Sequence, residues 1–120
     1  QIDLPPGSRP KGITSLPKSS LVYLTLSGSS EMAIIDTANG KIISKSKVPI
    51  GPSQIAATAD AVYVCLLSVT EPKLSVVAAY NQRLIGSVKL SGVPTDLVLH
   101  PSEKLAYVSN RSENTVSIID

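Results

Sequence analysis

The sequence predicts an all-β fold, and two kinds of observation carry that prediction. Two features recur at a spacing of 42 residues: prolines, at Pro10, Pro52 and Pro94, and the ends of apolar runs, at Asp36, Ala78 and Asp120. The runs are short and rich in β-branched and aliphatic residues, and no helical period of about 3.6 residues competes with them. Strand-rich repeats in the low forties are typical of β-propeller blades.

In the first repeat, turn residues separate four apolar runs. We expect strands over residues 12–16, 21–26, 32–35 and 41–48. The polar segments 17–20 and 27–30 mark the first two turns by their composition. Asn39-Gly40, between two apolar runs, is the strongest short signal of a hairpin.

The other two repeats follow the same plan. Strands are predicted over residues 54–58, 61–67, 74–78, 83–90, 95–99, 105–109 and 116–119. Tyr23, Tyr63 and Tyr107 each lie in the second strand of a repeat. Aligning them requires the middle repeat to lose two residues in its first turn and to gain two in its next loop. An even shift of this kind keeps every side chain on its original face of the strand.

The strands that precede the fourth in each repeat are apolar on both faces, as in Ile34-Ile35 and residues 116–119. Strands that are covered on two sides have this composition, because each blade of a propeller packs between two neighbours. The fourth strand is more polar, and Lys41, Lys45 and Lys47 alternate along it. We therefore expect the fourth strand to be outermost, with its edge protected by charge.

Composition excludes several classes of protein. With 120 residues, 42% of them hydrophobic and 17% charged, the chain is long enough for one domain with a buried core. A net charge of +2 without clustered aromatic residues argues against nucleic-acid binding. No run reaches the roughly 20 apolar residues of a membrane helix. The single cysteine, Cys65, lies in an apolar strand and is expected to be a small buried hydrophobic residue.

Four residues of the third repeat match a known family. Tyr107-Val108-Ser109-Asn110 resembles the Tyr-Val-Thr-Asn signature of the YVTN-type β-propeller repeats, and residues 32–41 and 115–120 resemble that family's third strand and hairpin. Tyr23-Leu24-Thr25 and Tyr63-Val64-Cys65 are weaker copies, so the resemblance covers the whole chain. It implies an extracellular, cell-surface or periplasmic location. Similar propellers occur in lactonase-like and in haem- or quinone-linked oxidoreductases.

The expected organisation is one propeller segment of about three four-stranded blades whose terminal strands are offset. Residues 1–4 align with residues 87–90 and are an outer strand that completes another blade. Residues 5–48 form the first blade, 49–90 the second, and 91–120 a third without its outer strand. Propellers have about four to eight blades, so three leave apolar faces and strand edges open.

Two explanations of this organisation stay open. In the first, copies of the chain associate by strand exchange, and residues 1–4 of one copy pair with the third blade of the next. The residues expected to form this assembly strand contact are Gln1, Ile2, Asp3, Leu4, Val116 and Ile118. A closed homo-oligomer and an extracellular filament are both variants of this idea. In the second, the chain is part of a longer propeller or is completed by a different partner chain.

Candidate chemistry is sparse. We expect no catalytic residue, no metal site and no cofactor, and His100, the one histidine, precedes Pro101 and Ser102 as a turn residue. The candidate binding residues lie one or two positions after the repeated prolines, where a central channel would open: Lys11, Gln54 and Asp96. The sequence therefore favours a non-enzymatic scaffold or binding module, with a fragment of an enzyme-associated propeller as the alternative.

Overall fold

The computed structural model describes residues 1–102 and 104–119, and these residues form eleven strands and no helix. The strands are β1 (Pro10–Ser15), β2 (Leu21–Leu26), β3 (Glu31–Asp36), β4 (Lys41–Lys47), β5 (Pro52–Ala57), β6 (Tyr63–Ser68), β7 (Lys73–Ala78), β8 (Leu84–Lys89), β9 (Pro94–Leu99), β10 (Ala106–Asn110) and β11 (Thr115–Ile119). All of the strands predicted within the three repeats are confirmed, with ends that differ by about two residues or fewer. The prediction that touches Asp120 lies outside the described residues.

The strands form three antiparallel sheets in chain order. Blade 1 has the order β1-β2-β3-β4, blade 2 the order β5-β6-β7-β8, and blade 3 has the three strands β9, β10 and β11. The first strand of each blade is the inner one, because β1 packs beside β5 and β5 beside β9. The all-β architecture with 4-, 4- and 3-stranded sheets is the predicted one.

The repeat is more regular than the tyrosine alignment predicts. Pro10 pairs with Leu26 in blade 1 and Pro52 pairs with Ser68 in blade 2, so the spacing stays at 42 residues through the second strands. The two-residue shift is therefore wrong, because the turns it would change have equal lengths in blades 1 and 2. Tyr63 occupies the position of Leu21. The counterpart of Tyr23 and Tyr107 is Cys65.

Each blade buries its faces against its neighbours. The cluster between blades 1 and 2 contains eight buried residues: Tyr23, Met32, Ile34, Ile55, Val64, Leu66, Val77 and Ala79. The cluster between blades 2 and 3 contains Cys65, Leu67, Leu74, Leu97, Ala106 and Val108. Blade 2 is covered on both faces, which is why its central strands are mostly apolar. The outer strands β4 and β8 contribute little to these clusters. The lysines of β4 predict this, whereas β8 is exposed although Leu84, Ile85 and Val88 are apolar.

Tyr23 locks blade 1 to blade 2 with both its ring and its hydroxyl group. The ring is 1% exposed, and the hydroxyl donates a hydrogen bond to the Ala79 carbonyl at 2.8 Å. The side chain of Gln82 donates to the same carbonyl at 2.8 Å. Desolvation raises the pKa of the Tyr23 phenol, and the hydrogen bond with Gln82 lowers it by less. A buried tyrosine needs such a partner, because an unpaired hydroxyl would cost free energy.

The inner strands of blades 1 and 2 approach one another closely at Gly12. The Gly12 N–H donates to the Thr25 hydroxyl at 2.9 Å, and that hydroxyl donates to the Ser53 carbonyl at 2.6 Å. A side chain at Gly12 would overlap the Ser53 carbonyl oxygen and would come within 3.0 Å of the Gln54 Cα atom. Glycine is required here because the two backbones leave no space for a Cβ atom.

The N-terminal segment lies on the open face of blade 1. Residues 1–5 form no strand, and the half-buried Leu4 packs against a cluster on that face: Leu24, Leu26, Ala33 and Ile35. The Gly28 N–H donates to the Ser8 carbonyl at 2.8 Å and holds the end of the segment. The segment thus covers part of the surface on which a preceding blade would pack.

We expect Gly12→Ala to lower the free energy of unfolding by about 1–3 kcal/mol, because the methyl group forces the inner strands apart. Gly86→Ala is the matched control, since a Cβ atom at Gly86 meets nothing within 4 Å. That change should be neutral or should raise stability by about 0.5 kcal/mol through its strand position. Urea unfolding of the two variants measures both effects. Equal stabilities would contradict the close approach of the inner strands.

Candidate functional site

The candidate binding surface is the end of the blades at which β1, β5 and β9 begin, which we call the loop face. The turns between the second and third strands lie at the same end, because each is hydrogen-bonded to the segment that leads into its blade. Three equivalent N–H groups donate to three equivalent carbonyls: Ser27 to Arg9 at 3.0 Å, Val69 to Gly51 at 2.9 Å and Arg111 to Val93 at 2.8 Å. The loop face is therefore built from the same contact in every blade.

Lys11, Gln54 and Asp96 all lie on the inner strands at the loop face. Lys11 and Asp96 are exposed and Gln54 is half-buried. In each blade the pairing of the inner strand is irregular at this point, through register shifts between Pro10 and Ile13, between Pro52 and Ile55, and opposite Pro94. Bulges of this kind redirect side chains and are common beside binding sites.

The three candidate side chains do not form a joint cluster. The Asp96 carboxylate accepts a hydrogen bond from the Leu97 N–H at 2.9 Å. Within the described residues, no hydrogen bond or ion pair links Lys11, Gln54 or Asp96 to another member of the set. The surface therefore offers a cation, an amide and an anion on three successive inner strands. Such a set can recognise polar groups, but it lacks the paired carboxylates or the nucleophile and base of a catalytic site.

Cys65 borders a cleft between blades 2 and 3 that sequence reasoning did not foresee. The cleft has a volume of about 260 Å³, and its mostly apolar lining includes Tyr63, Leu74, Val76, Leu99, Ala106 and Ile119. An equivalent cleft of about 440 Å³ lies between blades 1 and 2, beside Tyr23. The 42-residue spacing of Tyr23, Cys65 and Tyr107 is the sequence feature that could have indicated these clefts. Aligning Tyr63 with the other two tyrosines hides that spacing.

Asp60 and Lys104 carry opposite charges and line the smaller of these two clefts. The Asp60 carboxylate accepts hydrogen bonds from the Thr58 hydroxyl at 2.6 Å and from the Val62 N–H at 3.0 Å. These hydrogen bonds, and in smaller part the charge of Lys104, lower the pKa of Asp60. Asp60 is therefore held in its ionised form within its own turn, so its hydrogen bonds are explained by local structure.

Cys65 is a buried thiol, as predicted. Its side chain is 6% exposed, and desolvation raises its pKa from 9.0 to about 11. A thiol with a raised pKa is a poor nucleophile at neutral pH, because the thiolate is the reactive form.

His100 lies in the turn between β9 and β10, as predicted. Its Nδ1 atom accepts a hydrogen bond from the Ser102 N–H at 3.1 Å, and the Ser102 hydroxyl lies 3.5 Å from the same atom. The His100 N–H donates to the Leu105 carbonyl at 2.9 Å and closes the turn. These contacts join residues of one turn.

Asn110 of the signature sequence has a structural role. Its Nδ2 atom donates to the Ser117 hydroxyl at 2.7 Å and to the Thr115 hydroxyl at 3.2 Å, which ties β10 to β11. The side chain is buried, so the glycosylation sequon that begins at Asn110 does not present its amide to solvent.

The residues of the expected assembly strand lie on two surfaces. Gln1, Ile2 and Asp3 are exposed beside blade 1, and Leu4 packs on its open face. Val116 and Ile118 lie on β11, where they are 65% and 68% exposed. The structure does not bring these two groups together within one chain.

Across residues 1–102 and 104–119, no group of three or more histidine, cysteine, aspartate or glutamate side chains is placed to hold a metal ion. In the same part of the chain, no helix is long and apolar enough to cross a membrane.

The blades and their packing define a segment of a β-propeller, and comparison with known proteins agrees. The fold matches hydrazine synthase of Kuenenia stuttgartiensis with a TM-score of 0.89 and 22% identity, over 98% of this chain and 34% of that one. It matches a putative 6-phosphogluconolactonase of Bacteroides fragilis with a TM-score of 0.82 and 20% identity, over 98% of this chain and 36% of that one. No protein-family model matches, and no curated protein sequence does.

These similarities establish the fold alone, because the identities are low. This chain spans about a third of the length of each structural neighbour. Each neighbour therefore has length for blades beyond the three that match.

The buried thiol makes stability depend on pH. Below pH 9 the Cys65 thiol is protonated in both states, whereas between about pH 9 and 11 only the unfolded chain loses the proton. We therefore expect the free energy of unfolding to fall across this range by roughly 2–3 kcal/mol more in the wild type than in Cys65→Ala. Urea unfolding at several pH values measures the difference. Parallel pH profiles for the two proteins would contradict it.

Proposed function

We propose that this chain is a non-enzymatic β-propeller scaffold or binding module that completes its ring by associating through strand exchange. The observation that carries the proposal is the edge of blade 3. The strands β3 and β7 each pair with a fourth strand, whereas β11 pairs only with β10 among the described residues. An unpaired edge strand is a ready template for a strand from another chain.

The segment 1–4 is the proposed donor. By the repeat spacing it stands where β4 and β8 stand in their blades, directly before an inner strand. In a ring, the strand that precedes an inner strand is the outer strand of the previous blade. Residues 1–4 of one copy would accordingly pair with β11 of another, and two chains would form a closed ring of six blades.

The binding surface of such a ring is the loop face. Lys11, Gln54 and Asp96 lie there at the irregular starts of the inner strands, and each further copy adds the same set around the axis. This arrangement supports recognition of a polar ligand or a protein surface. An extracellular, cell-surface or periplasmic location belongs to the same proposal and rests on the resemblance to YVTN-type repeats.

A second candidate is a segment of an enzyme-associated propeller. It is favoured by the two structural neighbours, whose names are those of enzymes, and by the third of their length that this chain covers. The catalytic groups would then come from outside residues 1–120. A filament in which each copy donates its first residues to the next is the open-ended form of the leading proposal.

Native mass and a proline test decide between these possibilities. Light scattering after gel filtration should give a dimer for the wild-type chain. Ile2→Pro combined with Asp3→Pro should weaken the dimer by about tenfold or more, because proline removes N–H donors from a paired strand. The matched control, Ile2→Ala with Asp3→Ala, should behave as the wild type.

The outcomes separate the candidates. A large, heterogeneous mass that the prolines abolish would favour the filament. A monomeric wild-type chain would overturn assembly and favour the enzyme-associated segment. An associated chain that is unaffected by the prolines would overturn strand exchange.

A further inference from the structure

We propose that the open face of blade 3 is a specific docking surface for the open face of blade 1 of a second copy, and that the Tyr107 hydroxyl donates to the Thr37 carbonyl of that copy. The inference rests on the proposed function and deepens it. Strand exchange concerns the edge of β11, whereas this inference concerns the flat face of the whole sheet. The two can fail separately.

The first argument is the difference in burial between equivalent residues. Val116 and Ile118 stand 84 residues after Met32 and Ile34, at the same positions of their sheets. Met32 and Ile34 are 0% and 2% exposed because blade 2 covers them, whereas Val116 and Ile118 are 65% and 68% exposed. Val98, on the same face of blade 3, is also exposed. An apolar face of this kind on a soluble sheet marks an interaction surface.

The second argument is the opposite face, which blade 1 supplies. Ile13 is 69% exposed, whereas its equivalents Ile55 and Leu97 are 6% and 8% exposed because a preceding blade covers each of them. The rest of this face resembles the surface that blade 2 presents to blade 1. The residues Leu24, Leu26, Ala33 and Ile35 stand where blade 2 has Leu66, Ser68, Ser75 and Val77. One chain therefore carries both halves of one type of interface.

The third argument is a polar contact that fixes the register. Tyr107 is the equivalent of Tyr23, whose hydroxyl donates to the Ala79 carbonyl at 2.8 Å. The equivalent of Ala79 in blade 1 is Thr37. The two have the same local geometry, because the Ala79 N–H donates to the Val62 carbonyl at 2.9 Å and the Thr37 N–H donates to the Ser20 carbonyl at 2.9 Å. The exposed Thr37 carbonyl accepts no hydrogen bond from the described residues.

Docking has a structural consequence for the N-terminal segment. Leu4 and its neighbours cover part of the blade 1 face and must leave it before another blade can pack there. The segment that leaves is the one proposed to pair with β11 of the docking copy. Face docking and strand exchange thus require the same displacement, and the isolated chain holds the segment in place as a cover.

Charge placed on the docking face is the primary test. Ile118→Lys should leave the melting temperature of the isolated chain unchanged, because Ile118 is exposed there. It should raise the dissociation constant of the dimer by about 100-fold or more, because docking would bury an unpaired ammonium group. Ile85→Lys is the matched control, since Ile85 is similarly exposed on the outer strand β8, away from the docking face. It should leave the dissociation constant unchanged.

The hydroxyl contact has its own pair of variants. Tyr107→Phe should raise the dissociation constant by about 2- to 12-fold without lowering the melting temperature, because it removes one intermolecular hydrogen bond. Tyr23→Phe should do the reverse, since its hydrogen bond lies within the chain. Tyr80→Phe, at a highly exposed tyrosine, should change neither quantity.

The outcomes distinguish this inference from the proposed function. Association that persists in Ile118→Lys but is lost in the proline variant would overturn face docking and leave strand exchange standing. Association lost in Ile118→Lys but kept in the proline variant would support face docking alone. A wild-type chain that stays monomeric at all concentrations in light scattering would overturn both.

Discussion

The structure depends on packing between sheets that are apolar on both faces. A blade that is covered on one side only leaves its other face in contact with water, so each blade needs two neighbours. Blade 2 has both, and its central strands are buried except at Tyr63, Lys73 and Val76. Stability in such an array is a sum of the blades and of the interfaces between neighbours. Three blades in a row form two interfaces and leave two faces over.

The same packing positions the candidate site. The Thr25 hydroxyl joins the inner strands by accepting from the Gly12 N–H and donating to the Ser53 carbonyl, so β1 and β5 have a fixed spacing. Lys11 and Gln54 lie at the irregular starts of these strands, at the loop face. The inter-blade contacts thus hold the strands that carry these candidate residues, although the candidate residues form no hydrogen bond or ion pair with one another. If the interface between the blades loosened, the inner strands would no longer hold the candidate residues in place.

The sequence predicted most of the fold because the described residues repeat the first three strands of a blade three times and the fourth strand twice. Asn39-Gly40 illustrates this: Gly40 has a φ of 71° in the predicted hairpin. The alignment of Tyr63 with Tyr23 is wrong because Cys65 stands at the position equivalent to Tyr23, and Tyr63 lies two residues before it. The clefts and the path of residues 1–5 could not be predicted, since they depend on how separate blades meet and no local pattern encodes that geometry.

The proposed assembly also explains why the candidate site has so little chemistry within one chain. Lys11, Gln54 and Asp96 come from three successive inner strands, so a single chain supplies only part of the circle around the axis. A second copy docked on blade 3 would place its β1, with Lys11, next to β9 around the axis. Closure would therefore add a second set of these three side chains around the axis. On this view, the apolar faces determine whether a binding surface exists, and the polar residues determine only what it binds.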